Sequence, residues 1–135
     1  MKGKKMLRYL TVTLIGLTAS GILMVSLMAF INPQSVMDLV QVKLVNNDAY
    51  SSIRGVYGGA GMTLVIALVY LAFRDQMLGL LLVFLLCGLY AFSRITTIAV
   101  EGQLGPFGQQ WLIIESALCL LAILVFRLRH QAERP

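Results

Sequence analysis

Charge is scarce in this chain, and that scarcity excludes most soluble architectures. Only 13% of the 135 residues are charged, 59% are hydrophobic, and mean hydropathy is +0.83. A soluble domain of this size cannot cover so much apolar surface, because exposed area falls too slowly with mass. Histidine occurs once, at His130 in a polar tail, which removes most histidine-dependent chemistry. Cysteine occurs twice, at Cys87 and Cys119, both inside apolar runs. Two thiols fall short of a zinc set, and their setting reads as packing of small hydrophobes. No nucleophile–base pair and no metal-ligand set is present, so no cofactor and no metal is expected.

Long apolar runs are what the chain has in abundance. Four of them, at about 9–31, 53–73, 77–100 and 109–126, are long enough to cross a bilayer as helices. They predict an all-α, four-helix transmembrane bundle formed by one domain over 1–135. The first run has a basic start and a small-residue site, Thr18-Ala19-Ser20, like a secretory signal. It continues well past the roughly 7–15 apolar residues of a signal core, so an uncleaved first span is expected.

The connections carry their own signals. Asn32-Pro33 ends the first span and starts a short amphipathic segment over 34–45, with Asn32 as cap and Pro33 at the first helical position. Asp38, Gln41 and Lys43 make that segment too polar to span, so it lies at the outer interface or lids the bundle. Asn46-Asn47-Asp48 closes it with turn chemistry, and Ser51 or Ser52 can cap the second span. Arg74-Asp75-Gln76 predicts a tight turn, and 102–108, with Pro106 and Phe107, a second outer loop.

The formal charge of +5 does not point to nucleic acid, because of where it falls. Lys2, Lys4, Lys5, Arg8, Arg74, Arg127, Arg129 and Arg134 gather at the termini and the Arg74 turn, leaving Lys43 in an outer loop. Basic residues mark the cytoplasmic side, so both termini are expected inside. That requires an even number of spans.

Ionisable residues within spans are functional candidates by default. Arg94 lies six residues before the end of the third run and Glu115 six into the fourth, each about 9 Å deep at 1.5 Å per residue. A short loop joins those helices, so the two charges should pair. Tyr90, Arg94, Thr97 and Glu101 share one face of the third helix. Arg54, Tyr57, Gly58 and Gly61 share a face of the second, and Trp111 sits one turn before Glu115. Gly55 with Gly59, extended by Gly58 and Gly61, makes a strip suited to close helix packing.

The run Ser52-Ile53-Arg54-Gly55-Val56-Tyr57-Gly58-Gly59, followed by Ser93-Arg94, Glu101-Gly102 and Glu115, resembles the bacterial membrane family called domain of unknown function 4345. The resemblance implies a four-span bacterial membrane protein in which these polar positions are characteristic. It implies no activity.

Three readings remain open at this level. Arg54, Tyr57, Tyr90, Arg94, Glu101, Trp111 and Glu115 line an outward-facing polar cavity for a small amphipathic or anionic ligand or a lipid headgroup. Alternatively the charges only fix helix packing in a structural or accessory subunit that docks on a second copy or a larger membrane partner. The third is an enzyme acting on a lipid-like substrate, and the lack of a catalytic set leans against it. The expected location is a bacterial cytoplasmic membrane.

Overall fold

A computed structural model describes residues 2–133, which leaves Arg134, one of the basic residues used for orientation, outside the described residues. The elements in order are α1 (Lys2–Ile31), α2 (Pro33–Asp38), α3 (Asn47–Ile53), a π-helical segment (Arg54–Ala60), α4 (Gly61–Arg74), α5 (Gln76–Val100) and α6 (Pro106–Glu133). The segment from α3 through α4 is one rod, Asn47–Arg74, and with α1, α5 and α6 it gives four helices long and apolar enough to span. The chain is therefore all-helical among the described residues, with the character of a multi-pass membrane protein.

The four rods alternate in direction. Arg129 near the end of α6 donates to Thr11 near the start of α1 and to Gln76 at the start of α5. Both chain ends and the α4–α5 turn thus share one end of the bundle, called here the terminal end. The opposite, loop end carries α2, α3 and the α5–α6 connection. Helix α1 packs on all three other rods, most extensively on the second, and α5 and α6 form a second extensive pair.

Each rod contributes to a core in the terminal half. Ile15 from α1, Leu68 from α4, Leu80 and Val83 from α5 and Ala122 from α6 are buried together. Thr11, Thr18 and Ser26 are also buried on α1, and each hydroxyl donates to the carbonyl four residues earlier. That local bond lets a polar side chain sit among apolar ones without an unmet donor.

Local chemistry sets the ends, with some boundaries displaced from expectation. Asn32 caps α2 through Gln34 N, and Pro33 occupies its first position. The helix lasts only to Asp38, so 34–45 is not a single amphipathic helix. Gln41 turns the chain at φ 58°, and residues 42–45 follow without regular structure. Gln34 holds this fold-back, donating to Asp38 Oδ1 (2.7 Å) and Val42 O (2.9 Å) and accepting from Leu44 N (2.9 Å). Val36 and Met37 pack under it against Ala29. The second rod starts before Ser51 and Ser52, because Asn46 caps it through Ala49 N. Asp75 is the only non-helical residue between α4 and α5, and its carboxylate accepts from Leu78 N. The last rod starts at Pro106, ahead of Gln109, and continues past Arg127.

Candidate functional site

Arg94 and Glu115 meet between α5 and α6. Nε donates to Oε2 at 2.6 Å and Nη2 to Oε1 at 2.9 Å, a parallel two-point pairing. Glu115 is buried at 7% exposure, and the Arg94 side chain retains 21%. A guanidinium carries five N–H donors in a fixed fork, so three remain, two of them side by side on the Nη1–Nη2 edge. Among the described residues nothing accepts from them.

Tyr57 and Tyr90 lie within electrostatic reach of that guanidinium and of each other. They are 38% and 49% exposed, and neither hydroxyl has a hydrogen-bond partner among the described residues. Tyr57 comes from the π-helical segment and Tyr90 stands one turn below Arg94 on α5. The four side chains thus gather from three rods.

The other predicted residues are placed elsewhere. Arg54 donates through Nε to Phe30 O at 3.3 Å, supplying a donor to the carbonyl-rich end of α1. Glu101 caps the exposed C-terminal end of α5 and forms no ion pair among the described residues. Trp111 is half-buried on α6 and tilted against Phe107, ring centroids 6.2 Å apart. Thr97 is exposed and donates to Ser93 O.

The glycine strip divides in two. A Cβ on Gly58 would come within 3.1 Å of the Phe30 ring, and one on Gly61 would collide with Ser26 Oγ. These two let α1 approach the second rod closely. Gly55 and Gly59 meet nothing within 4 Å. The split follows helical spacing: Arg54, Gly58 and Gly61, at i, i+4 and i+7, keep the face that meets α1 through the π-helical segment, while Gly55 and Gly59 sit on another. Glycine is about 1 kcal/mol poorer than alanine in a helix, which leaves this run free to follow its tertiary contacts.

A polar group that spacing alone did not single out lies at the terminal end. Arg129 Nη1 donates to Thr11 Oγ1 (3.2 Å) and Gln76 Oε1 (2.9 Å), linking α1, α5 and α6. Its position beyond the apolar run made it read as a topology charge. Helical facing of Thr11 with the buried Ile15 and Thr18 was the available signal.

Two surface recesses border the site, and neither is lined by Arg94 or Glu115. One follows α5 past Leu82, Leu85, Leu86, Leu89, Tyr90 and Ser93, with a volume of about 470 Å³. The other, about 340 Å³, lies between α5 and α6 around Gly88, Phe92, Ser116 and Cys119. The Arg94–Glu115 pair thus lies beside these recesses, with the Arg94 side chain partly exposed. Among the described residues no three His, Cys, Asp or Glu side chains come together to hold a metal.

Residues 10–126 match the family model described as Domain of unknown function (DUF4345), which covers most of the chain. The chain belongs to that family. No curated protein and no solved structure matches it.

Proposed function

We propose that this chain binds the polar head of a small amphipathic molecule at Arg94, between Tyr57 and Tyr90. One observation carries the reading: three guanidinium N–H groups of Arg94 and the hydroxyls of Tyr57 and Tyr90 have no partner among the described residues, within rods long and apolar enough to span a membrane. In hydrocarbon there is no water to satisfy them, and each unmet polar group costs several kcal/mol. An acceptor-rich headgroup supplies what they lack. Glu115 fixes the guanidinium plane and neutralises its charge, so the pair offers donors without net charge. That favours an uncharged or singly charged head over a multiply charged anion, whose extra charge would stay uncompensated in a low-dielectric setting.

The proposed setting is a bacterial cytoplasmic membrane with both termini inside, which puts the site in the outer half. The bias of Lys4, Lys5, Arg8, Arg74 and Arg127 towards the terminal end supports that orientation.

The competing reading is a packing pin, favoured by the two-point Arg94–Glu115 bond that already engages both carboxylate oxygens. Native mass spectrometry of the full chain released from membranes separates the two. The comparison is with the double variant Arg94→Leu/Glu115→Leu, since replacing a buried pair by apolar residues of similar size often leaves stability unchanged or raised. A bound amphiphile on the wild type that is lost from the folded double variant supports binding. Equal adducts on both, or none on the wild type, leaves the packing pin.

A further inference from the structure

We propose that the amphiphile is a single-chain carboxylic lipid, held with its head at Arg94 and its chain along the leucine groove of α5. The inference rests on the headgroup reading above and adds the ligand class and the path of its tail.

Tyr90 is the link between the two features. It stands one turn from Arg94 and within its electrostatic reach, and it also forms the upper wall of the groove with Ser93. Below it the walls are all leucine: Leu82, Leu85, Leu86 and Leu89. The recess therefore begins at a polar site and becomes wholly apolar towards the terminal end, the polarity order of a lipid monomer entering head-up. From Ser93 to Leu82 it runs about 16 Å at 1.5 Å per residue. Its volume of about 470 Å³ lies within the roughly 300–1,000 Å³ of small-molecule sites.

The occupant follows from shape and charge. The recess tracks one helix, which provides for one chain, where a diacyl lipid would leave its second chain outside. The free guanidinium edge is a planar fork of the kind that matches a carboxylate. Beside the neutral Arg94–Glu115 pair, a carboxyl head adds at most one charge. The open side of the groove lets such a molecule enter laterally from the bilayer.

Photo-crosslinking with hexadecanoate analogues tests the idea, using the full chain in phosphatidylcholine nanodiscs. One analogue carries a diazirine near the carboxyl and the other carries it near the chain end. The expected result is head-end labelling at Tyr90 or Ser93 and chain-end labelling at Leu82–Leu86, both competed by unlabelled hexadecanoate. Leu86→Phe, which fills the groove, should reduce chain-end labelling at least several-fold. If the head-end probe labels Tyr90 or Ser93 while the chain-end probe scatters over lipid-facing residues, the groove assignment is overturned and the headgroup reading stands. If phosphatidylglycerol competes and hexadecanoate does not, the single-chain carboxylate is overturned in favour of a diacyl lipid. Labelling without site preference for either probe overturns both.

Discussion

The two halves of this bundle treat an arginine in opposite ways. In the terminal half, Arg129 bridges Thr11 and Gln76 above a core drawn from all four rods. In the loop half, Arg94 pairs with Glu115 and keeps the rest of its fork without an acceptor among the described residues. From Phe92 to Val100, every α5 residue except Arg94 is exposed. The difference shows how one fold can use similar side chains for closure at one end and for access at the other. In lipid, apolar burial does not itself drive helices together, so close packing and polar bonds have to hold each half.

The sharpest way to break the comparison is to remove the carboxylate alone. Glu115→Ala leaves Arg94 inside a span without its partner, and losing one member of a buried pair costs about 3–5 kcal/mol. Unfolding in mixed micelles should show that loss, with most of it recovered in Arg94→Leu/Glu115→Leu. A loss below about 1 kcal/mol, the range of an exposed pair, would show that Arg94 finds a substitute partner and that the site is wetter than its pairing suggests.

The glycines test how the loop half is held. Gly61→Ala forces its new methyl against Ser26 and should cost about 1–3 kcal/mol, the range of overpacking. Gly59→Ala meets open space and should be neutral or stabilising by up to about 1 kcal/mol, since alanine is the better helix former. Equal losses at both positions in the same unfolding assay would mean that Gly59 also faces a partner, such as a second copy. Light scattering of Gly59→Leu in mild detergent would then show a lower copy number.

Much of this fold is legible in the sequence, because the bilayer demands long apolar runs and the turns between them are punctuated. Asn32-Pro33, Asp75 and Pro106 mark helix starts for local reasons that need no tertiary knowledge. The pairing of Arg94 with Glu115 is legible too, since equal depth on helices joined by a short loop leaves little choice. Arg54 is less legible. Its partner is the Phe30 carbonyl, 24 residues earlier, and backbone acceptors at a helix end leave no mark in side-chain patterns. The grouping of Gly58 with Gly61 is legible from spacing, but which glycine pair meets α1 is not, and neither is the π-helical turn at Arg54–Ala60. Asn46 competes with Ser51 and Ser52 as a cap, and only the fold-back held by Gln34 decides for it.

The smallest expected loss of stability lies at the terminal end, and it sharpens the contrast between the halves. Gln76→Ala removes the acceptor 2.9 Å from Arg129 Nη1 and the bond from Nε2 to Ala72 O. Arg129 keeps Thr11 as an acceptor, and its place near the end of α6 lets its long side chain reach towards the headgroups. With interhelical hydrogen bonds in bilayers averaging about 0.6 kcal/mol each, losing these two should cost only about 1 kcal/mol. Unfolding in mixed micelles measures it against Glu115→Ala under the same conditions. A several-fold smaller loss at Gln76 means that the terminal end is closed redundantly, whereas the loop end depends on one ion pair. Equal losses would mean that Arg129 depends on its partners as strongly as Arg94 does, and the two ends would then differ in access alone.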